Sequence, residues 1–288
     1  MPDHRVLDHL GCRLAYRLRG AGPPVLLIQG TGIHGDGWDP QVTALAPRFR
    51  CLTFDNRGMG RSQPQAGPLT VARMADDALA LLDACGIDRA HVIGHSLGGA
   101  IAIELALRAP ARVASLSLLC TFARGRDAAP LTPWMLWTGL RTRLGTRRQR
   151  RAAFLRLIRT SQDLVGVDLD ALARELEPLF GHDLADQPPV VMAQLAALRA
   201  WDATARLGTI AGIPTLVASA RYDRIAPPAV GRALAAAIPG SWYHEFPDAA
   251  HGVTLRHPDA VNTLLLSHLE AAGAETHRAT QSTPGARA

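Results

Sequence analysis

The stretch AHVIGHSLGGAIAIELALRAP, residues Ala90 to Pro110, decides the fold. Its opening, AHVI, reads as a short buried strand, and its close, AIAIELALRA, has helical character and stops at a proline. Between them lies Gly94-His95-Ser96-Leu97-Gly98-Gly99, a G-x-S-x-G sequence set between strand and helix. That context defines a nucleophile elbow, a sharp strained turn that lifts a serine hydroxyl above the end of a sheet. The glycines are there for steric reasons, because so tight a turn leaves no room for side chains two positions from the serine. A helix that starts immediately after Ser96 aims backbone N–H groups and a partial positive charge at the place where an oxyanion would form.

Working outward, the same strand–helix rhythm continues on both sides. CRLAYRLR (Cys12 to Arg19) alternates like an edge strand, whereas PVLLIQG (Pro24 to Gly30) and FRCLTFD (Phe49 to Asp55) are unbroken apolar runs, as expected of strands buried on both faces. VARMADDALALLDACG (Val71 to Gly86) is helical with a glycine stop, and VASLSLLCTF (Val113 to Phe122) is a further strand. This order predicts an α/β protein with a mostly parallel, doubly wound sheet. From Ala123 to Ala200 the pattern turns helical, broken by Pro130, Pro133, Gly145, Pro178, Pro188 and Pro189. Strands resume at IPTLVASA (Ile213 to Ala220) and, more weakly, at SWYHEFP (Ser241 to Pro247). The chain therefore divides into a core of residues 1–122 and 201–271, a helical lid of 123–200, and a polar, aperiodic tail of 272–288 read as disordered. A lid inserted at that point would sit over the carboxyl ends of the strands, where ligands bind in such sheets.

Bulk properties narrow the function. Hydrophobic residues make up 48% and charged residues 19% of the 288, the composition of a globular protein. The formal charge of +6 comes from arginine, since the chain has no lysine, and no nucleic-acid-binding signature accompanies it. The opening segment MPDHRVLDHLGCRLAYRLRG lacks the apolar run of a signal peptide, and no stretch has the length of a membrane span. Cys12, Cys51, Cys85 and Cys120 are scattered without metal-binding spacing. A cytoplasmic protein with reduced thiols, no metal or organic cofactor, and a small-molecule substrate is the expectation; neither nucleic acid nor membrane is an expected partner.

A serine hydroxyl needs a base to take its proton. The candidates are His34, His91, His95, His182, His244, His251, His257 and His268. His251, in the loop FPDAAHG after the last strand, is where the chain order serine, acid, histidine places the base. The acid that orients such an imidazole is assigned to Asp223, immediately after IPTLVASA and so at a strand's carboxyl end. Asp248, nearer in sequence, is the fallback.

These features together resemble the α/β-hydrolase fold family over roughly Leu14 to Ala271. DNRGMGRS (Asp55 to Ser62) resembles the family's D-x-R-G-x-G-x-S turn, IPTLVASARYDRIAPP its acid-bearing strand and loop, and AAHG its histidine loop. The resemblance implies a Ser96–His251–Asp223 triad, with oxyanion donors at the backbone N–H of Leu97 and of Thr31, Gly32 being the alternative to Thr31. One departure is Gln29-Gly30, where the family usually has His-Gly; a backbone donor does not depend on that side chain. Gly30, Trp134, Trp137 and Trp201 are candidate pocket residues, while Trp38 and Trp242 are read as shaping core or pocket. The arginine run from Arg141 to Arg159 contains no acidic residue and reads as a solvated face, or else as one or two arginines (Arg156, Arg159) that attract an acidic substrate.

The leading expectation is a serine hydrolase of carboxylic esters or lactones, working through an acyl-enzyme. A C–C bond hydrolase of a diketone-like ring-cleavage product is the alternative. The loop from Gln29 to Trp38 has its spacing, but Gly252 after His251 and His95 before Ser96 depart from that branch. A cofactor-free peroxidase side activity could use the same triad. Dehalogenases and epoxide hydrolases of the family place aspartate at the elbow, and a non-catalytic ligand-binding member would not need Ser96, Asp223 and His251 all kept.

Overall fold

The computed structural model describes residues 4–130 and 132–281, with side chains to residue 274. Among the described residues there are eight strands: β1 (Arg5–His9), β2 (Cys12–Arg19), β3 (Pro24–Ile28), β4 (Arg50–Phe54), β5 (Ala90–His95), β6 (Val113–Leu119), β7 (Thr215–Ala220) and β8 (Trp242–Phe246). They form one sheet in the order β1-β2-β4-β3-β5-β6-β7-β8. β1 and β2 are antiparallel to their neighbours, and every pairing from β4 to β8 is parallel. β5 and β7 are buried along their whole length, which is why their sequences carry apolar or small residues without alternation.

The helices are α1 (Asp39–Leu45), α2 (Val71–Ala84), α3 (Leu97–Arg108), α4 (Pro133–Arg141), α5 (Arg147–Ile158), α6 (Leu169–Phe180), α7 (Val190–Arg199), α8 (Pro228–Ala237), α9 (Val253–Arg256) and α10 (Pro258–Gln281). α2 packs on α3 on one side of the sheet and α1 on α10 on the other, so both faces are covered. This is the α/β architecture expected from the sequence. α4 to α7 lie between β6 and β7 and have a small apolar core of their own, in which Leu155, Ile158, Leu176 and Phe180 meet Ile33 of the β3 loop.

Two expectations change. β2 is not an edge strand: β1, whose five residues gave no readable pattern, pairs with it residue for residue from Arg5↔Tyr16 to His9↔Cys12 and takes the edge. The alternation of β2 reflects one wetted face rather than an unpaired border. At the other end, α10 runs through Gln281, past the point at Ala272 where a disordered tail was expected; residues 282–288 lie outside the described residues. GAETHRATQ is polar but rich in helix-forming Ala, Glu, Arg and Gln, so polarity alone was a poor guide there.

The D-x-R-G-x-G-x-S turn ties these parts together. Arg57 makes a two-pronged ion pair with Asp77 of α2 (2.8 and 2.5 Å) and donates to the carbonyls of His9 and Leu10. Asp55 accepts from the Gly35 N–H at 2.8 Å, and Ser62 bridges the Asp55 carbonyl and the Ala15 N–H. The Asn56 amide donates to the Gln29 carbonyl at 2.8 Å, holding the loop after β3.

The close packing of α3 against the sheet makes a stability prediction. A Cβ on Gly98 would lie 2.0 Å from the Ile28 carbonyl oxygen, a backbone atom with no freedom to move, whereas one on Gly139, inside α4, would meet nothing within 4 Å. Gly98→Ala should cost about 3 kcal/mol or more of unfolding free energy. Gly139→Ala should add about 0.5–1 kcal/mol. Urea unfolding midpoints that moved the same way in both variants would contradict this packing.

Candidate active site

Ser96 follows the last residue of β5 with φ 55° and ψ −120°, a conformation that non-glycine residues rarely adopt. The surroundings enforce it. A Cβ on Gly94 would come within 2.3 Å of the Gly98 carbonyl oxygen, so strand and helix can only meet through glycines. The Ser96 N–H donates to Leu119 O of β6, and the Ser96 carbonyl accepts from Thr121 Oγ1 and from the Gly99 and Ala100 N–H groups.

Asp223 follows β7 and is buried. Its Oδ1 accepts from the Ile225 and Ala226 N–H groups, both at 2.8 Å, which fixes the carboxylate in place. Its Oδ2 accepts from His251 Nδ1–H at 2.7 Å. His251 follows β8 and, together with Ser96, lines a cavity of about 270 Å³. Ser96 and His251 face this common space without a hydrogen bond between them, and such bonds often tighten only when substrate is bound. Asp248, the alternative acid, is exposed, and His251 Nδ1–H is taken by Asp223.

Gly30 and Thr31 also line the Ser96 cavity. Among the described residues, neither the Thr31 nor the Leu97 N–H donates to another group. Gly32, the alternative donor, has its N–H committed to Gln194 Oε1 at 3.0 Å. Gln29 folds its own Oε1 back onto the Gly30 N–H at 3.0 Å, so the loop keeps an anchor despite the missing histidine. His182 Nε2–H donates to the Gly32 carbonyl at 2.9 Å. Gln194 and His182 thus hold both sides of this loop from the helices inserted between β6 and β7. No local sequence signal could have given Gln194 or His182 this role, because each acts across about 150 residues of chain.

His95, one of the candidate bases, is held in another role. Its Nε2–H donates to the His251 carbonyl at 2.9 Å, and the two rings pack at 4.8 Å between centroids. Burial pushes its pKa down to about 3, so it is a neutral prop for the His251 loop. His95, Cys120 and His251 bring ring nitrogens and a thiol within 4.8 Å of one another, the nearest approach to a metal-ligand set among the described residues. These atoms already have other work. His95 Nε2–H is a donor, His251 Nδ1–H is bonded to Asp223, and burial beside that carboxylate holds the Cys120 thiol well above its ordinary pKa. A metal would need thiolate and unprotonated nitrogens there.

The three tryptophans expected at the pocket lie outside the lining of the Ser96 cavity. Trp201 is buried against α3, donating to Glu104 Oε2 at 3.0 Å, and Trp137 is 63% exposed on the outer face of α4. Trp134 lies under the Arg224 guanidinium, 4.1 Å from the ring centre, and faces a neighbouring cavity. α4 turns Met135, Gly139 and, just past its end, Thr142 to the Ser96 cavity, a helical spacing that puts the tryptophans on other faces. Phe122, Phe154, Ile158 and Ile225 complete a largely apolar wall, with Arg143 as its one guanidinium. The arginines of α5 are not simply solvated either. Arg147 and Arg151 converge on Asp183, Arg151 and Arg148 reach Asp170, and Arg150 pairs with Asp186, acids that come from distant sequence. Arg156 and Arg159 line the neighbouring cavity, not this one.

The chain belongs to the alpha/beta hydrolase fold family, whose profile matches residues 23–258. It is a hydrolase of that family. It is similar to a protein named as a carbamate hydrolase, RutD, of Azorhizobium caulinodans, with 34% identity over 253 residues, 88% of this chain and 93% of that one. Among solved structures it is similar to a hydrolase from Pseudomonas aeruginosa (33% identity, TM-score 0.78, covering 93% of this chain and 98% of that chain). The enol-lactonase of Burkholderia xenovorans is a further likeness, at 29% identity and TM-score 0.78, covering 92% of this chain and 100% of that chain.

The neutral, buried His95 predicts a pH effect on stability. A histidine whose folded pKa lies below its unfolded value of 6.5 favours folding fully above that value, and the advantage is lost as pH falls toward about 3. His95→Asn should make the fall of unfolding free energy between pH 6 and 4 shallower by up to ~1.4 kcal/mol per pH unit. Parallel slopes in variant and wild type would show that His95 is not held neutral.

Proposed function

We propose that the protein hydrolyses a carboxylic ester or lactone through an acyl-enzyme formed on Ser96. The reading is carried by one observation: the His251–Asp223 hydrogen bond at 2.7 Å ends in a ring that shares a cavity with a serine on a strained elbow. In this mechanism Asp223 keeps Nδ1 protonated, which leaves Nε2 free to take the Ser96 proton. Ser96 Oγ attacks the carbonyl carbon, and the Thr31 and Leu97 N–H groups stabilise the oxyanion. The imidazolium returns its proton to the departing alkoxide. Water then attacks the acyl-enzyme with the same base, and no metal or organic cofactor takes part.

The apolar wall favours a neutral acyl or ring group over an acidic one, and the enol-lactonase likeness supports the lactone form. Residues 123–200, which hold α4 to α7, act as a lid on a core of 1–122 and 201–271. Four free cysteines, three of them buried, suit a reducing, cytoplasmic setting. No helix among the described residues is long and apolar enough to cross a membrane.

A fluorophosphonate probe should label wild type and leave Ser96→Ala unlabelled, and an aryl-ester series and a lactone should be turned over by wild type alone. Asp223→Asn should lower kcat about 10³–10⁴-fold with a smaller change in KM. Turnover by Ser96→Ala within tenfold of wild type would overturn the assignment, and cleavage of carbamates with no turnover of any ester or lactone would overturn the substrate class.

A further inference from the structure

A second, larger cavity of about 1160 Å³ lies on the far side of the wall that closes the Ser96 cavity. The two hollows are lined by alternate residues of the same segments: Met135 and Trp134, Ile158 and Arg159, Ile225 and Arg224, Leu255 and Arg256. One side of each pair is apolar and faces Ser96. The other side gathers Arg156, Arg159, Arg221, Arg224 and Arg256 around one space.

Their countercharges are few and mostly committed. Asp163 accepts from Arg256 Nε at 2.7 Å and from Thr160 Oγ1 at 2.8 Å. Asp223 is bound by His251 and two backbone N–H groups, which leaves the exposed Asp248. Arg224 lies on Trp134. Arg159 stands out: it is 8% exposed, and its Nε and Nη1 have no hydrogen-bond partner. His257 Nε2, in the same cavity, is likewise buried and unpartnered. An uncompensated buried guanidinium is among the costliest features a fold can carry, and it is tolerated where a ligand supplies the missing charge. Burial pushes the Arg159 pKa down, opposed by Asp163 and Glu175 and reinforced by Arg256.

We propose that this cavity binds a small oxyanion, a carboxylate or phosphate group, on Arg159, with Arg156 and Arg221 adding positive charge at the rim. The planar guanidinium suits two-pronged recognition of such a group. The site is a different hollow from the one at Ser96, although Asp223 is among its lining residues, and it does not depend on the reaction proposed there. It is nonetheless coupled to it by the chain: the Ile158 carbonyl, next to Arg159, accepts from the N–H of Gly252, next to His251, at 2.9 Å. An anion that steadies the end of α5 steadies the His251 loop as well.

Calorimetric titration and thermal unfolding with inorganic phosphate, and then with succinate, at an ionic strength fixed with sodium chloride, test the site. Wild type and Ser96→Ala should both bind at least one of the two anions saturably, with Tm rising as its concentration rises. Arg159→Gln should weaken that binding about tenfold or more. Arg221→Gln, at an exposed position without an ion pair, should weaken it several-fold while leaving Tm in chloride unchanged, so the test survives any folding defect in the Arg159 variant. Arg5→Gln, on the far edge strand, should bind as wild type. Phosphate alone, succinate alone, or both would identify the recognised headgroup. Absence of saturable binding of either probe at tens of millimolar, or wild-type affinity in both the Arg159 and Arg221 variants, would overturn the proposal.

Discussion

The structure depends on how closely α3 is allowed to approach the sheet. Its first turn sits against the Ile28 carbonyl, where even one methyl group on Gly98 would overlap by more than an ångström. That approach forces the chain to reverse within Ser96 and holds the residue at a positive φ. Strain of this kind costs on the order of 1–3 kcal/mol and persists only where the surroundings over-determine it. Here β3, β5 and β6 and the Thr121 hydroxyl do so, and the result is a hydroxyl presented at the carboxyl edge of the sheet with the N–H groups of a helix just behind it.

The rest of the site is built around that fixed point by contacts from far along the chain. Asp223 and His251 arrive on the loops after β7 and β8, and His95 braces the His251 loop from within the elbow itself. The loop carrying Thr31 is held from below by Asn56 and from above by Gln194 and His182. The inserted helices therefore hold the Thr31 loop as well as line the Ser96 cavity. Their own rigidity comes from a small apolar core and from the arginine–aspartate network around Asp183, whose carboxyl is held well below the usual range by Arg151 and Arg147.

What could be read from the sequence was what local pattern encodes. The elbow, the unbroken apolar strands and the acid and histidine loops each carry their signal within about ten residues, and the fold they imply is the one observed. Features set by distant contacts were hidden. β1 is too short and too charged to announce itself and exists because β2 offers it a pairing edge. The arginines of α5 looked unpaired because Asp170, Asp183 and Asp186 belong to another part of the chain. Trp134 and Trp137 lie in the inserted helices, but the direction in which a helix turns a side chain depends on its phase, and the phase of α4 turns Met135 to the Ser96 cavity instead. The fold and the loops that carry Ser96, Asp223 and His251 were therefore legible, whereas the residues that shape and support those loops were not.

The account as a whole rests on the hydroxyl of Ser96 meeting an electrophile under the Thr31 and Leu97 N–H groups. A crystal structure of the protein after reaction with a phosphonate ester tests this most directly. The account predicts a covalent bond from Ser96 Oγ to phosphorus, with the phosphoryl oxygen within hydrogen-bond distance of both N–H groups and His251 Nε2 beside the serine oxygen. A phosphonyl group on another residue, or one on Ser96 whose oxygen points away from both donors, would contradict it.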